Sequence, residues 1–356
     1  MQTQTLIIGG GLAGLSLALK LAERGDDFLL AEARDRLGGR ILTETRDGGY
    51  FDLGPAWYWP GQPRMAALVE RLDLTRFDQH YQGDVCFEDE TGAVQFGRGF
   101  ASMQGSYRLE GGFGALVDAI ATRLPGRCIH LGHPITSIAR TGAGIVATTD
   151  TGTEVHARQA VLALPPRVAT QISFTPALSG SAVNTMHGIP TWMAGQAKAV
   201  ALYDRPFWRE ANLSGDAMSR RGPIVELHDA SPLESGPYAL FGFLGTAPAA
   251  RKDQSTMRSS LVQQLVRLFG TGAETPKALY LKDWAFDRFT ATAQDMQPLA
   301  AHPRYGLPDA LERVWEGRLI FGSTEVATEF GGFLEGALEA AETAFAEIEI
   351  GRGEFR

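Results

Sequence analysis

Cysteine is scarce in this chain: Cys86 and Cys128 are its two thiols in 356 residues. Two thiols so far apart suggest no disulfide framework and fit a reducing compartment, so a cytoplasmic location is expected. No apolar stretch is long enough to span a bilayer, no hydrophobic anchor follows the last helical pattern, and no signal segment precedes the first apolar run. A membrane partner is therefore not expected. Basic charge is also in short supply. With 33 Lys+Arg against 41 Asp+Glu the net charge is −8, which argues against nucleic-acid partners. Internal repeats, low-complexity tracts and a metal-ligand pattern are missing too. What remains is an ordinary globular composition, 44% hydrophobic and 21% charged, on a chain long enough for two domains.

The first forty residues carry the strongest signal. An apolar run, Leu6 to Ile8, leads into Gly9-x-Gly11-x-x-Gly14. A helical pattern then runs to Arg24, with Gly25 as its stop, and a second apolar run, Phe28 to Ala31, ends on Glu32. Gly9 permits the tight turn, Gly11 lets backbone approach a pyrophosphate, and Gly14 lets helix and sheet pack closely. The helix start at Leu12 and Ala13 offers N–H groups and a positive dipole end to phosphate. Glu32 stands where a carboxylate accepts from a ribose diol. The chain continues Glu32-Ala33-Arg34-Asp-Arg36-Leu-Gly38-Gly39-Arg40, and three interleaved arginines suit phosphate recognition.

This run, E-x-R-x-R-x-G-G-R after a second strand, resembles the flavin amine oxidase family, which includes monoamine and polyamine oxidases and L-amino-acid oxidases. The resemblance implies FAD, with Glu32 and Ala33 at the adenosine ribose and Arg34 and Arg40 near the dinucleotide and its pyrophosphate. A second stretch matches at the far end: Glu325, then Gly331-Gly332-Phe333-Leu334-Glu335-Gly336. It implies Glu325 at the ribityl or phosphate end and a helix starting near Gly332. N–H groups there would face the flavin's pyrimidine carbonyl, with the Phe333 and Leu334 backbone beside the ring.

The fold class implied is α/β: a Rossmann-like FAD-binding domain with an inserted mixed α+β substrate domain. Residues 1–75, 111–172 and 281–356 would form the first, and 76–110 with 173–280 the second. Within these the pattern predicts strands around 85–87, 94–96, 128–131, 135–138, 145–149 and 153–156, and a helix opening at Gly111-Gly112-Phe113. In the family the strand near Ile135 covers the adenine. Further strands are predicted around 194–203, 223–228, 238–244 and 319–321, and helices over 254–269 and about 333–347.

Lys198 is the foremost catalytic candidate. Alternation puts Lys198, Val200 and Leu202 on one strand face among apolar neighbours, where a lysine is costly without a partner. The family places a lysine on this strand, followed by an F-W pair as in Phe207-Trp208; it holds a water at flavin N5 and assists reoxidation by oxygen. Trp284 resembles the tryptophan beside that water. Gly54-Pro55-Ala56-Trp57, after Asp52, resembles the loop along the flavin face. Either a core or a cofactor role buries Trp57. Two departures stand out. Ala293 lies near the position where monoamine oxidases carry the cysteine that attaches flavin, so non-covalent FAD is expected. Of the two tyrosines that frame the amine, Phe333 matches one without its hydroxyl and the other falls near Gln294. The reaction implied is hydride transfer from the carbon beside a small-molecule amine nitrogen to flavin N5, with oxygen returning as hydrogen peroxide. A dehydrogenase or desaturase using another acceptor, and a non-catalytic FAD-binding relative, are the alternatives.

Overall fold

The computed structural model describes residues 1–234 and 236–354. Its first unit is the one the glycine motif demands. Strand β1 (Gln2–Ile8) runs into helix α1 (Leu12–Arg24), and β2 (Phe28–Ala31) lies parallel beside β1, Leu6 opposite Leu29. Gly9 takes φ 113° in the turn, and Gly25 ends α1 with φ 77°, conformations that glycine reaches without a side-chain penalty. β1 alternates its apolar side chains between two cores. Ile7 faces α1 and the C-terminal helix, and Leu6 and Ile8 face the opposite layer.

β1 sits near the middle of an eight-stranded sheet. The strand Glu154–Leu162 lies parallel on its other side and pairs in turn with Leu319–Phe321. The strands Ile145–Thr149 and Ile135–Arg140 continue antiparallel, and Ser173–Thr175 closes that edge. A seven-stranded sheet forms the second layer system, in the order Ala278–Asp283, Ala197–Tyr203, Tyr238–Leu244, Ile224–Asp229, Leu213–Ser219, Asp84–Glu88, Val94–Gly97. It is antiparallel apart from one parallel pairing, between Leu213–Ser219 and Asp84–Glu88.

The C-terminal helix spans Leu334–Glu354, starting two residues later than expected and running longer. Gly332 has φ 85°, outside the helical range, and Phe333 donates its N–H to the Phe330 carbonyl in a turn. The helix Gly180–Gly188, capped by the Ser179 hydroxyl, and the strands Leu213–Ser219 and Ala278–Asp283 have no counterpart among the expected elements. Among the described residues no helix is long and apolar enough to cross a membrane.

Candidate flavin and substrate site

One elongated cavity of about 540 Å³ runs from the β1–α1 turn to the large sheet's neighbour. All the sequence-derived site residues line it except Gly14 and Glu325. One end is walled by the Gly9–Ala13 turn, Glu32–Arg34, Gly38–Arg40 and Ile135. The other is walled by Gly54–Trp57, Lys198, Trp284 and Gly332–Leu334.

At the first end Glu32 is fixed by backbone. Its Oε2 accepts from Gly10 N at 2.6 Å and its Oε1 from Arg34 N at 2.8 Å, which leaves lone pairs for further donors. The glycines divide by what surrounds them. A Cβ on Gly14 would stand 2.0 Å from the Gly9 carbonyl oxygen, and one on Gly9 2.6 Å from Ala163 O. A Cβ on Gly11 would meet nothing nearer than 3.9 Å. Protein packing therefore requires glycine at 9 and 14 but not at 11, and the space over Gly11 opens into the cavity. Helix-start N–H groups at that spot, with an open approach, fit a pyrophosphate.

The arginines behave differently from one another. Arg36 spends its guanidinium on the carbonyls of Leu37, Gly39 and Ile41, so it braces the loop. Arg34 is ion-paired to Asp287 and donates to Thr290 Oγ1 at 3.0 Å. Arg40 Nη1 lies 2.7 Å from Glu325 Oε1. Glu325 is fully buried, and neither of its oxygens has a donor in hydrogen-bond geometry among the described residues; the Arg40 contact is a charge pair off that geometry. Glu325 itself does not line the cavity; it reaches it only through Arg40, which does.

At the second end Lys198 is 6% exposed. Its Nζ donates to the Gly54 carbonyl at 2.5 Å and sits 5.5 Å from the Phe243 ring centre. Burial pushes its pKa down to about 8, and the Asp52 charge acts the other way. Trp284 is buried, and its indole donates to the Leu53 carbonyl at 2.9 Å. Trp57 is buried against Phe241 and donates to Gln79 Oε1 at 2.7 Å. Phe333 stacks on His302, 4.8 Å between centres at 20°. Gly332 N donates to Thr324 Oγ1 and Phe333 N to Phe330 O, so the N–H groups expected to face a flavin from these two residues are already engaged. By helix geometry the unpaired ones begin at Leu334.

Gln294 is exposed and, like Ala293, does not line the cavity. The Trp and Phe rings that line it with Phe333 are Trp57, Trp59, Trp192, Phe243, Trp284 and Phe289. Trp192 and Phe243 were missed at the sequence level, as was Lys282. Lys282 is the cross-strand partner of Lys198, hydrogen-bonds Asp287 at 2.8 Å and lies 4.5 Å over the Trp284 ring. Its place two residues before Trp284 was the available signal; the strand pairing that brings it to Lys198 was not visible.

The family description "flavin containing amine oxidoreductase" matches residues 12–96 and 97–348. The chain belongs to that family. It is an FAD-dependent oxidoreductase. It is 25% identical over 450 residues to the flavin-containing amine oxidase A of Equus caballus, covering 96% of this chain and 84% of that one. It is 24% identical over 449 residues to the L-amino acid dehydrogenase of a Synechocystis species, covering 96% and 94%. Its fold superposes on cyclohexylamine oxidase from Brevibacterium oxydans with TM-score 0.83 at 20% identity, over 99% of this chain and the whole of the other.

Proposed function

We propose that this flavoenzyme oxidises an apolar monoamine, holds FAD without a covalent bond and returns the electrons to oxygen. The observation that carries the reading is Lys198: a buried ammonium in the same cavity as Gly9 and Gly11, on the aromatic side of it. Bound FAD supplies the hydride acceptor. The chain's own groups do the rest. Trp57, Trp192, Phe243 and Phe333 present rings to the substrate end, which suits a neutral amine with an apolar substituent. The carboxylates that line the cavity, among the described residues, are Glu32 and Asp150, both on the Ile135 side. The substrate end therefore offers no anion to a second ammonium, and a diamine is disfavoured. Binding the amine deprotonated removes the need for a general base, and positioning its C–H bond is the main contribution. Neither Cys86 nor Cys128 lines the cavity, in keeping with non-covalent FAD.

The Synechocystis relative's name favours a second reading, in which the acceptor is not oxygen. A single panel separates the two. Benzylamine, cyclohexylamine, putrescine and L-amino acids are mixed anaerobically with the enzyme, flavin bleaching is followed, and oxygen is then admitted. The proposal expects bleaching by the first two, little by putrescine, and prompt recolouring with peroxide release. Bleaching without recolouring overturns the oxidase reading. Preference for putrescine overturns the substrate class.

A further inference from the structure

Residues Asp52, Leu53 and Gly54 form one short segment with three separate attachments. The Leu53 carbonyl accepts the Trp284 indole N–H at 2.9 Å, and the Gly54 carbonyl accepts Lys198 Nζ at 2.5 Å. The Asp52 carboxylate points the other way, onto the start of the helix Gly112–Ala121. Its Oδ1 accepts from Phe113 N at 3.0 Å and from Thr43 Oγ1 at 2.5 Å. Thr43 in turn accepts from Gly114 N at 2.8 Å, so the carboxylate and the hydroxyl together cap that helix. Gly54 is wedged as well: a Cβ there would lie 2.1 Å from the Arg40 carbonyl oxygen. The backbone that meets both Trp284 and Lys198 therefore has little freedom of its own.

We propose that Asp52 is a positioning residue for Lys198, anchoring the Gly54 carbonyl that receives the ammonium and supplying the negative charge that keeps it protonated. This rests on the reading of Lys198 as the group that serves flavin reoxidation. The charges around the pair are few. The charged and titratable groups that act on Asp52 through space are Lys198, Arg108 and Tyr50, and Arg108 is itself bound to the carbonyls of Ala230 and Ser231. Around Lys198 are the rings of Phe241 and Phe243 and cross-strand Lys282, whose charge is answered by Asp287, and the Asp52 charge acts on it through space, without an ion-pair contact. Burial raises the Asp52 carboxyl to about 6, so it is ionised where Lys198, held at about 8, carries its proton. Between those values the two are oppositely charged.

The chain has five lysines, at 20, 198, 252, 277 and 282. Lysine labelled at the ε-carbon therefore gives an NMR spectrum simple enough to follow Lys198 through a pH series in the FAD-loaded protein, its signal assigned by loss in Lys198→Met. Asp52→Asn keeps an acceptor for Thr43 and Phe113 N while removing the charge. The expected result is a Lys198 midpoint near 8 in the parent and at least one pH unit lower in Asp52→Asn. The pH at which flavin reoxidation slows should move by the same amount. A purely structural Asp52 leaves the midpoint in place, and that result overturns the proposal. A midpoint that moves while the reoxidation profile stays still supports Asp52 and refutes the oxygen role of Lys198 instead. Should Asp52→Asn fail to fold, the parent alone still decides: the Lys198 signal should show a second, smaller step near pH 6 as Asp52 takes up its proton, and a Lys198 titration with no step there overturns the assignment.

Discussion

Lys198 shows how one side chain is held against its own solvation. A lysine whose proton affinity drops from 10.5 to about 8 on folding loses stability in its charged form. The sign is fixed by direction: below about pH 8 the native state must carry a buried ammonium that the unfolded chain carries in water. That costs on the order of 3 kcal/mol, offset in part by about 1 kcal/mol from the bond to Gly54 O. Lys198→Met removes the charge at similar volume. The expected outcome is an enzyme that melts higher at pH 7, loads with FAD, and reoxidises its flavin one to a few orders of magnitude more slowly, while reduction by substrate changes only a few-fold. Stopped-flow traces of the two half-reactions and a thermal melt check it. Equal reoxidation rates in variant and parent would reduce Lys198 to a strand lysine with an unexplained burial. The alternation of Gln196 to Leu202 made the lysine legible. Its receiving carbonyl at Gly54, far away in sequence, was not.

Among the elements, the β1–α1–β2 unit was the most legible, because the Gly9-x-Gly11-x-x-Gly14 spacing stands between an apolar run and a helical pattern. The structure divides those glycines, and the division predicts two unlike variants. Gly14→Ala drives a methyl to within 2.0 Å of the Gly9 carbonyl oxygen, so backbone must shift. It should destabilise the fold by about 1–3 kcal/mol whether or not FAD is present. Gly11→Ala meets only open space in the protein, so the apoprotein should melt like the parent while FAD affinity falls at least tenfold, ~1.4 kcal/mol. Melts of apo and loaded forms, with flavin fluorescence titrations, distinguish them; a Gly11→Ala protein of normal affinity would move the phosphate site elsewhere. The strand Leu213–Ser219 illustrates the opposite case. Its sequence, LSGDAMS, has little β character, yet it lies inside the second sheet because Asp216 finds His228 Nδ1 at 2.6 Å on the neighbouring strand. That partner exists only after folding. The bracing role of Arg36 is invisible in the sequence for a similar reason: its three backbone carbonyls come together only in the folded loop.

For the whole molecule, the cavity is the joint between the sheets, with the β1–α1 turn at one end and the Ala197–Tyr203 strand at the other. A dinucleotide filling it would touch both units at once. Binding to the native state alone stabilises by RT ln(1 + [L]/Kd), about 2.7 kcal/mol at a free ligand concentration a hundredfold above Kd. In a chain of this size each kcal/mol shifts Tm by roughly 2 °C, so adding FAD at that excess to stripped protein should raise the melt by about 5 °C. Reversibility is the other half of the argument. Cys86 is buried in the core of the second sheet with its thiol on the Leu268 carbonyl, and Cys128 packs beside β2, so neither stands at the cavity wall. Acid precipitation should therefore leave a colourless pellet and all of the flavin in the supernatant, and the washed, refolded apoprotein should regain its melting temperature on adding FAD. A yellow pellet would show a covalent link through another side chain. A colourless one with no FAD-dependent shift would show that the refolded protein does not bind FAD, and the cavity would lose its assignment to the cofactor.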